Sequence, residues 1–191
     1  RMNEDSLCDT ARTWLTRTPI MGSSPGDDGD EEVVKNYVHS HISAQIKHGE
    51  EMASRMSKWG MGDSKAIKAR FASIADGARD FLMPEGKIDR ARAGLLFIES
   101  YRDLPLLSWP RTLIDRMIEL EEAMVKWRHS HARMVERIIG RRIGTGGSSG
   151  VDYLDATTSY RVFTDLWSVR TILIKTELRP KLINREFYGF A

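Results

Sequence analysis

Apolar residues recur along this chain at helical spacing, and alternating, strand-like runs are nearly absent. Residues 3–17 read as a helix with Leu7, Ala11, Trp14 and Leu15 on one face, stopped by Pro19. Residues 20–30 hold Gly, Ser, Pro and Asp and read as a linker. Asp27, Asp28, Asp30, Glu31 and Glu32 then suit the positive end of a second helix, whose stripe is Val34, Val38, His41, Gln45, Met52, Met56 and Trp59. Gly60 and Gly62 break it. Asp63 or Ser64 can cap a third helix carrying Ile67, Phe71, Ile74, Ala78 and Phe81. Residues 84–86 turn the chain, and Ile88, Ala91, Leu95 and Ile98 mark a fourth helix. Residues 104–110 read as a short apolar connection with two prolines and Trp109.

The most regular pattern follows. Leu113, Met117, Leu120, Met124, Trp127, His131, Met134 and Ile138 are separated by alternating steps of four and three. The spacing predicts one helix over 111–139, about 43 Å long at ~1.5 Å per residue, long enough to be the spine of a bundle. Gly140 ends it, and Arg141 and Arg142 suit its negative end. Seven residues, Gly144-Thr145-Gly146-Gly147-Ser148-Ser149-Gly150, come next, with Val151, Tyr153 and Leu154 beyond them reading as packed. A last amphipathic helix is expected over 159–174, carrying Phe163, Leu166, Trp167, Val169 and Leu173, with Pro180 after it. The expected fold class is all-α: a helical bundle with one long central helix.

Composition narrows the function classes. The 191 residues carry 29 basic and 27 acidic side chains, a formal charge of +2, so no nucleic-acid partner is expected. No apolar run approaches the ~18 residues of a membrane span. Cys8 is alone, which excludes an internal disulfide and suits a reducing, cytoplasmic setting. The chain opens at Arg1 with no initiator Met ahead of it and reads as the continuation of something longer.

His131 is the one polar member of the long seam. Burying an imidazole is costly unless its nitrogens find partners, so a satisfied core histidine is one reading and a metal ligand or base the other. His129 lies about 200° around the helix and cannot share a metal with it. His39 and His48 fall off the stripe of the second helix, and His41, on it, reads as a hydrogen-bonded, partly buried residue. Zinc needs three or four protein ligands, and the sequence offers no Cys cluster, His-x3-His or Glu-x-x-His. Haem iron needs only an axial one, so a lone histidine on an apolar face fits haem better than a bare metal. Met124, Trp127, Met134 and Ile138 would supply a flat apolar wall; equally, they could pack on another helix. The glycine stretch lacks the Gly-Lys-Ser/Thr of a phosphate loop and the third glycine of a dinucleotide loop. It is either a flexible linker or a loop whose backbone N–H groups and Thr145 and Ser hydroxyls face a polar small molecule.

Together, Trp127-Arg128-x-x-His131-x-x-Met134-Val135-x-Arg137-x-Ile139-Gly140 and Gly144-Thr145-Gly146-Gly147-Ser148-Ser149-Gly150-x-x-Tyr153-Leu154 resemble the tryptophan 2,3-dioxygenase family. WLTRTP at 14–19, Gly94-Leu95-Leu96-Phe97 and Tyr101-Arg102-Asp103-x-Pro105 extend the resemblance over most of the chain. The resemblance implies an all-helical, cytosolic homotetramer with haem b. It implies insertion of both atoms of O2 across the indole C2–C3 bond of L-tryptophan, giving N-formylkynurenine. By the motif, His131 matches the axial iron ligand, with Met124, Trp127, Arg128, Met134 and Ile138 around the haem. Thr145 matches the loop threonine that meets the substrate ammonium group, beside Gly146, Gly147 and Ser148.

The family's distal histidine and its carboxylate-binding arginine have no match here. Residues 1–191 therefore read as the C-terminal portion, with an N-terminal half supplied by another chain or segment. Pro110-Arg111 stands where the family has Pro-Phe, and His129-Ser130 where it has Tyr and a basic residue. These departures leave room for a monooxygenase relative acting on a modified tryptophan or other aromatic amino acid, or for a helical module without activity. No Cys follows His131 closely, so the haem implied is non-covalent.

Overall fold

The computed structural model describes residues 6–60, 63–142 and 150–189. Among them the fold is all-α, as expected, with no strand beyond an isolated bridge between Ile20 and Ser23. By its internal contacts the chain divides into two units, Arg1–Arg111 with Asp165–Ala191, and Thr112–Thr164.

The first unit is built from α1 (Leu7–Leu15), α2 (Asp30–Lys58), α3 (Ser64–Leu82) and α4 (Arg90–Ser100). Each start has a local cause. Ser6 and Asp9 form a reciprocal capping box at α1, Asp63 accepts from Lys65 N and Ala66 N at α3, and Asp89 accepts from Arg92 N at α4. At α2 the cap is Gly29, and the acidic first turn complements the helix dipole. Helix α4 carries almost no polar face: Ala91 and every residue from Ala93 to Glu99 are buried. Around it Tyr37, Phe97, Tyr101 and Tyr188 form an aromatic cluster. Tyr37 meets Phe97 edge-on at 5.4 Å, and Phe97 lies 4.6 Å from Tyr101 and 5.5 Å from Tyr188. Gly94 is required where α1 ends against α4, since a Cβ there would sit 2.5 Å from the Leu15 carbonyl oxygen.

The C-terminal segment closes this unit. The expected helix over 159–174 is not formed as one element: α7 spans only Thr164–Ser168, a 3-10 turn follows over Val169–Ile172, and residues 160–163 are irregular. The buried residues Phe163, Leu166, Val169 and Ile172 recur every three residues, the period of a 3-10 rather than an α-helix. The buried carboxylate of Glu121 accepts from the N–H groups of Val162 and Phe163, holding that stretch out of helix. Further on, the Tyr188 hydroxyl donates to the Pro19 carbonyl and accepts from Gly22 N.

The second unit consists of most of α5 (Ser108–Ile139) and all of α6 (Gly150–Thr157). Helix α5 starts three residues earlier than the sequence suggested. Trp109 and Pro110 form its first turn instead of a connection, which proline tolerates because the first four N–H groups have no intrahelical acceptor. Gly140, at φ +65°, gives the left-handed residue that ends it.

The long seam also needs correction. The residues α5 buries are Ile114, Ile118, Glu121 and Ala132, one position further on. The regular seam from Leu113 to Ile138 lies about 100° around from them. Its members are half-buried or exposed, with Trp127 at 65%, Met134 at 51% and Ile138 at 73%. Two four-three repeats run side by side here, and only one of them is covered. In α6, Val151 is buried as expected, but Tyr153 is exposed.

Candidate functional site

The exposed stripe of α5 runs from Leu120 to Ile138, about 27 Å of helix. His131 sits in it, half-buried, with its ring stacked parallel to Trp127 at 5.3 Å and an interplanar angle of 4°. Its nitrogens have no hydrogen-bond partner among the described residues, which argues against the satisfied core histidine that the sequence also allowed. One turn away, Arg128 donates to the Tyr160 carbonyl at 2.7 Å, turning that guanidinium toward the segment after α6. Met124 is half-buried beside them. The structure thus brings Met124, Trp127, His131, Met134 and Ile138 onto one side of one helix, with Arg128 on its flank. Thr145, Gly146, Gly147 and Ser148 lie outside the described residues.

The other histidines do something different. His39 and His129 are exposed, and His48 is half-buried. His41 is wholly buried, more than its pattern suggested; its Nε2–H donates to the Ile172 carbonyl at 2.9 Å, an acceptor shared with the Gln45 side-chain amide. Its Nδ1 is buried with no partner, and burial lowers its pKa below the usual histidine value. It is a structural residue that holds the 3-10 turn to α2. Among the described residues no group of three or more His, Cys, Asp and Glu side chains is placed to hold a metal ion. Nor is any helix there long and apolar enough to cross a membrane.

Pattern reading missed a cluster of charges at the end of α5. Arg133 pairs with Glu136 and with Asp155 of α6. Arg141, just past Gly140, pairs with Glu136 at 2.8 Å, Asp152 at 2.5 Å and Asp155 at 3.1 Å. The helix dipole accounts for Arg141 only in part. The available signal was the three-residue spacing of Arg133 with Glu136 and of Asp152 with Asp155.

A half-exposed imidazole on the apolar stripe of a long helix is an arrangement that a flat prosthetic group with one protein ligand could use. The residues present fit haem: an imidazole without a hydrogen-bond partner among the described residues, an aromatic and two aliphatic side chains exposed beside it, and Arg128 on its flank. The sequence profile of the tryptophan 2,3-dioxygenase family matches residues 1–173, and the chain belongs to that family of haem-dependent oxygenases. It is 43% identical over 189 residues to a tryptophan 2,3-dioxygenase-like protein of Xanthomonas campestris pv. campestris (strain 8004), covering 93% of this chain and 68% of that one. It is 42% identical over 190 residues to the tryptophan 2,3-dioxygenase of Sorangium cellulosum, with 93% and 45% covered. Tryptophan 2,3-dioxygenase 2 of Ralstonia nicotianae is 42% identical over 191 residues, with 93% and 50% covered. The chain therefore spans about two thirds of the first relative and about half of the other two.

Proposed function

We propose that this chain is the haem-binding portion of a dioxygenase that cleaves the indole C2–C3 bond of L-tryptophan with O2, giving N-formylkynurenine. The observation that carries the reading is His131, an imidazole without a hydrogen-bond partner among the described residues, on the exposed apolar stripe of α5. His131 would hold the iron of a non-covalent haem b. Trp127, Met134 and Ile138, with Met124 and Arg128, would line the surface that holds it. When bound, the haem would supply the iron chemistry that activates O2.

The chain's own residues position and exclude. The stacked Trp127 limits the rotation of the His131 ring, and the apolar stripe would keep water from the bound group beside that imidazole. Thr145, Gly146, Gly147 and Ser148 orient the amino-acid end of the substrate through hydroxyl and backbone N–H groups. The group that meets the indole N–H and the arginine for the carboxylate come from a chain or segment bearing the N-terminal half. The working assembly is a cytoplasmic homotetramer, in which the α5 stripe is covered.

The test is His131→Ala. The variant is expected to lose its haem Soret band while keeping the helical circular-dichroism signal of the parent. A full haem complement with an unchanged ferric spectrum would overturn the ligand assignment. Product mass separates the two oxygenase readings. Addition of two oxygen atoms to L-tryptophan supports the dioxygenase, and addition of one to another aromatic amino acid supports a monooxygenase. Thr145→Ala tests the loop. Removing a hydroxyl partner of an ammonium group is expected to lower kcat/KM by about ten- to a hundredfold. Indole analogues without the amino group should be spared.

A further inference from the structure

We infer that Arg137 binds the carboxylates of the haem, so that the carboxylate-bearing edge of that group lies on the flank of α5 turned away from the residues the helix buries. The inference rests on the haem reading given above and adds to it an anchor and an orientation. Haem b carries its carboxylates along one edge, and the rest of its rim is apolar. The side chains exposed around His131 are apolar too, so Trp127, Met134 and Ile138 offer those carboxylates nothing. A carboxylate kept from water without a partner is costly, so a cation at that edge is needed wherever the group is covered.

The two flanks of the stripe differ in what they supply. On one, about 100° around from His131, lie Ala132 and the rest of the line that α5 buries. Arg128 is on that side, and its guanidinium donates to the Tyr160 carbonyl. The other flank is open. There His129, Ser130, Arg133 and Arg137 line a groove of about 600 Å3 together with Met134 and Ile138 of the stripe itself. The groove thus joins a cationic flank to the apolar wall beside His131. Arg133 is committed elsewhere, since it pairs with Glu136 and Asp155. Glu136, the neighbour of Arg137 in sequence, is held by Arg133 and by Arg141. Arg137 is exposed and has neither an ion pair nor a hydrogen bond among the described residues. It stands about 9 Å along the helix from His131 and about 120° around, on the side away from Ala132. A guanidinium presents its N–H groups as a planar fork that matches the oxygens of a carboxylate, and Ser130 adds a hydroxyl to the same groove.

The experiment measures release of haem from the complete haem-loaded protein to an excess of haem-free globin, followed by the Soret band. The proteins are the parent, Arg137→Gln, Arg137→Lys and, as a control, Arg116→Gln. The control removes another exposed arginine of α5, one paired with Glu119 at 2.5 Å. Each protein is loaded either with haem or with its dimethyl ester, which has the same ring and iron and no free carboxylate. Arg137→Gln is expected to release haem about three- to tenfold faster, the scale of one hydrogen bond's net contribution. It should release the ester at the parent's rate, because the contact is already missing there. Arg137→Lys keeps the charge without the fork and restores part of the loss. Arg116→Gln should release both forms as the parent does. Unchanged release of haem by Arg137→Gln would overturn the inference, and so would equal acceleration with haem and ester or an equal effect of Arg116→Gln. If His131→Ala loses its Soret band while Arg137→Gln releases haem like the parent, the anchor alone falls. If His131→Ala keeps a full haem complement and an unchanged ferric spectrum, the haem reading falls and takes the anchor with it.

Discussion

Two apolar surfaces of similar size in this molecule have opposite fates. In the first unit α4 is enclosed, and Phe97 is buried among three tyrosines from α2, the end of α4 and the C-terminal segment. In the second, α5 buries a narrow line of Ile114, Ile118, Glu121 and Ala132, and presents Trp127, Met134 and Ile138 to the outside. Apolar area contributes to folding only when it leaves water, so the first set holds this fold together and the second does not. A tryptophan, a methionine and an isoleucine in a row, uncovered, are expensive to keep in water and mark a surface meant for something else. His131 lies among them.

The comparison is broken most directly by truncating one aromatic on each side. Phe97→Ala should cost about 3–5 kcal/mol, because the aromatic cluster cannot close over the cavity. Thermal or denaturant unfolding reads it, and a loss under 1 kcal/mol would mean the cluster is not the core. A smaller effect, about 1–3 kcal/mol, is expected for Glu121→Ala, which strips the acceptor from Val162 N and Phe163 N. It should also speed amide exchange at those two residues selectively.

His41 sharpens the contrast through pH. Its folded-state pKa is lowered, chiefly by burial, so the unfolded chain takes up the proton first. The contribution of neutral His41 is complete above the ordinary histidine range near ~6.5 and is lost as pH falls below it. His41→Gln should flatten the fall in stability between neutral and mildly acid pH. A parent whose stability did not fall in that window would remove His41 from the set of folding determinants. The smallest effect belongs to Trp127→Ala, expected to change the stability of the haem-free protein by no more than about 0.5 kcal/mol while weakening haem retention. A loss as large as that of Phe97→Ala would show that the α5 stripe is already part of the core.

Helices α2 to α5 were legible in the sequence, since caps and periodicity are local, whereas α6 was not expected as a helix. Asp63 sits where α3 begins and Gly140 where α5 ends, and the stripes of α2 and α3 are at least partly buried as their spacing implies, except at Trp59, which is exposed. The 159–174 segment failed as a single helix because a three-residue and a 3.6-residue repeat look alike over so few turns. What decided between them was a carboxylate some forty residues away in sequence. The candidate site divides the same way. His131 stood out as one polar residue in an apolar repeat, and the flanking motifs named the family.

The sequence by itself determined the fold class, the ends of α2 and α3, the C-terminal end of α5 and the family, because each is written in short-range pattern. Which of the two parallel repeats on α5 is covered was settled only by tertiary structure, since periodicity fixes which residues share a face and not what lies against it. The same holds for His41, whose buried nitrogen meets a carbonyl 131 residues on, and for the charges of Arg133 and Arg141, which meet their α6 partners only once two helices lie side by side. Long-range partners leave no period in the chain; they exist only when folding brings distant groups within a few ångströms.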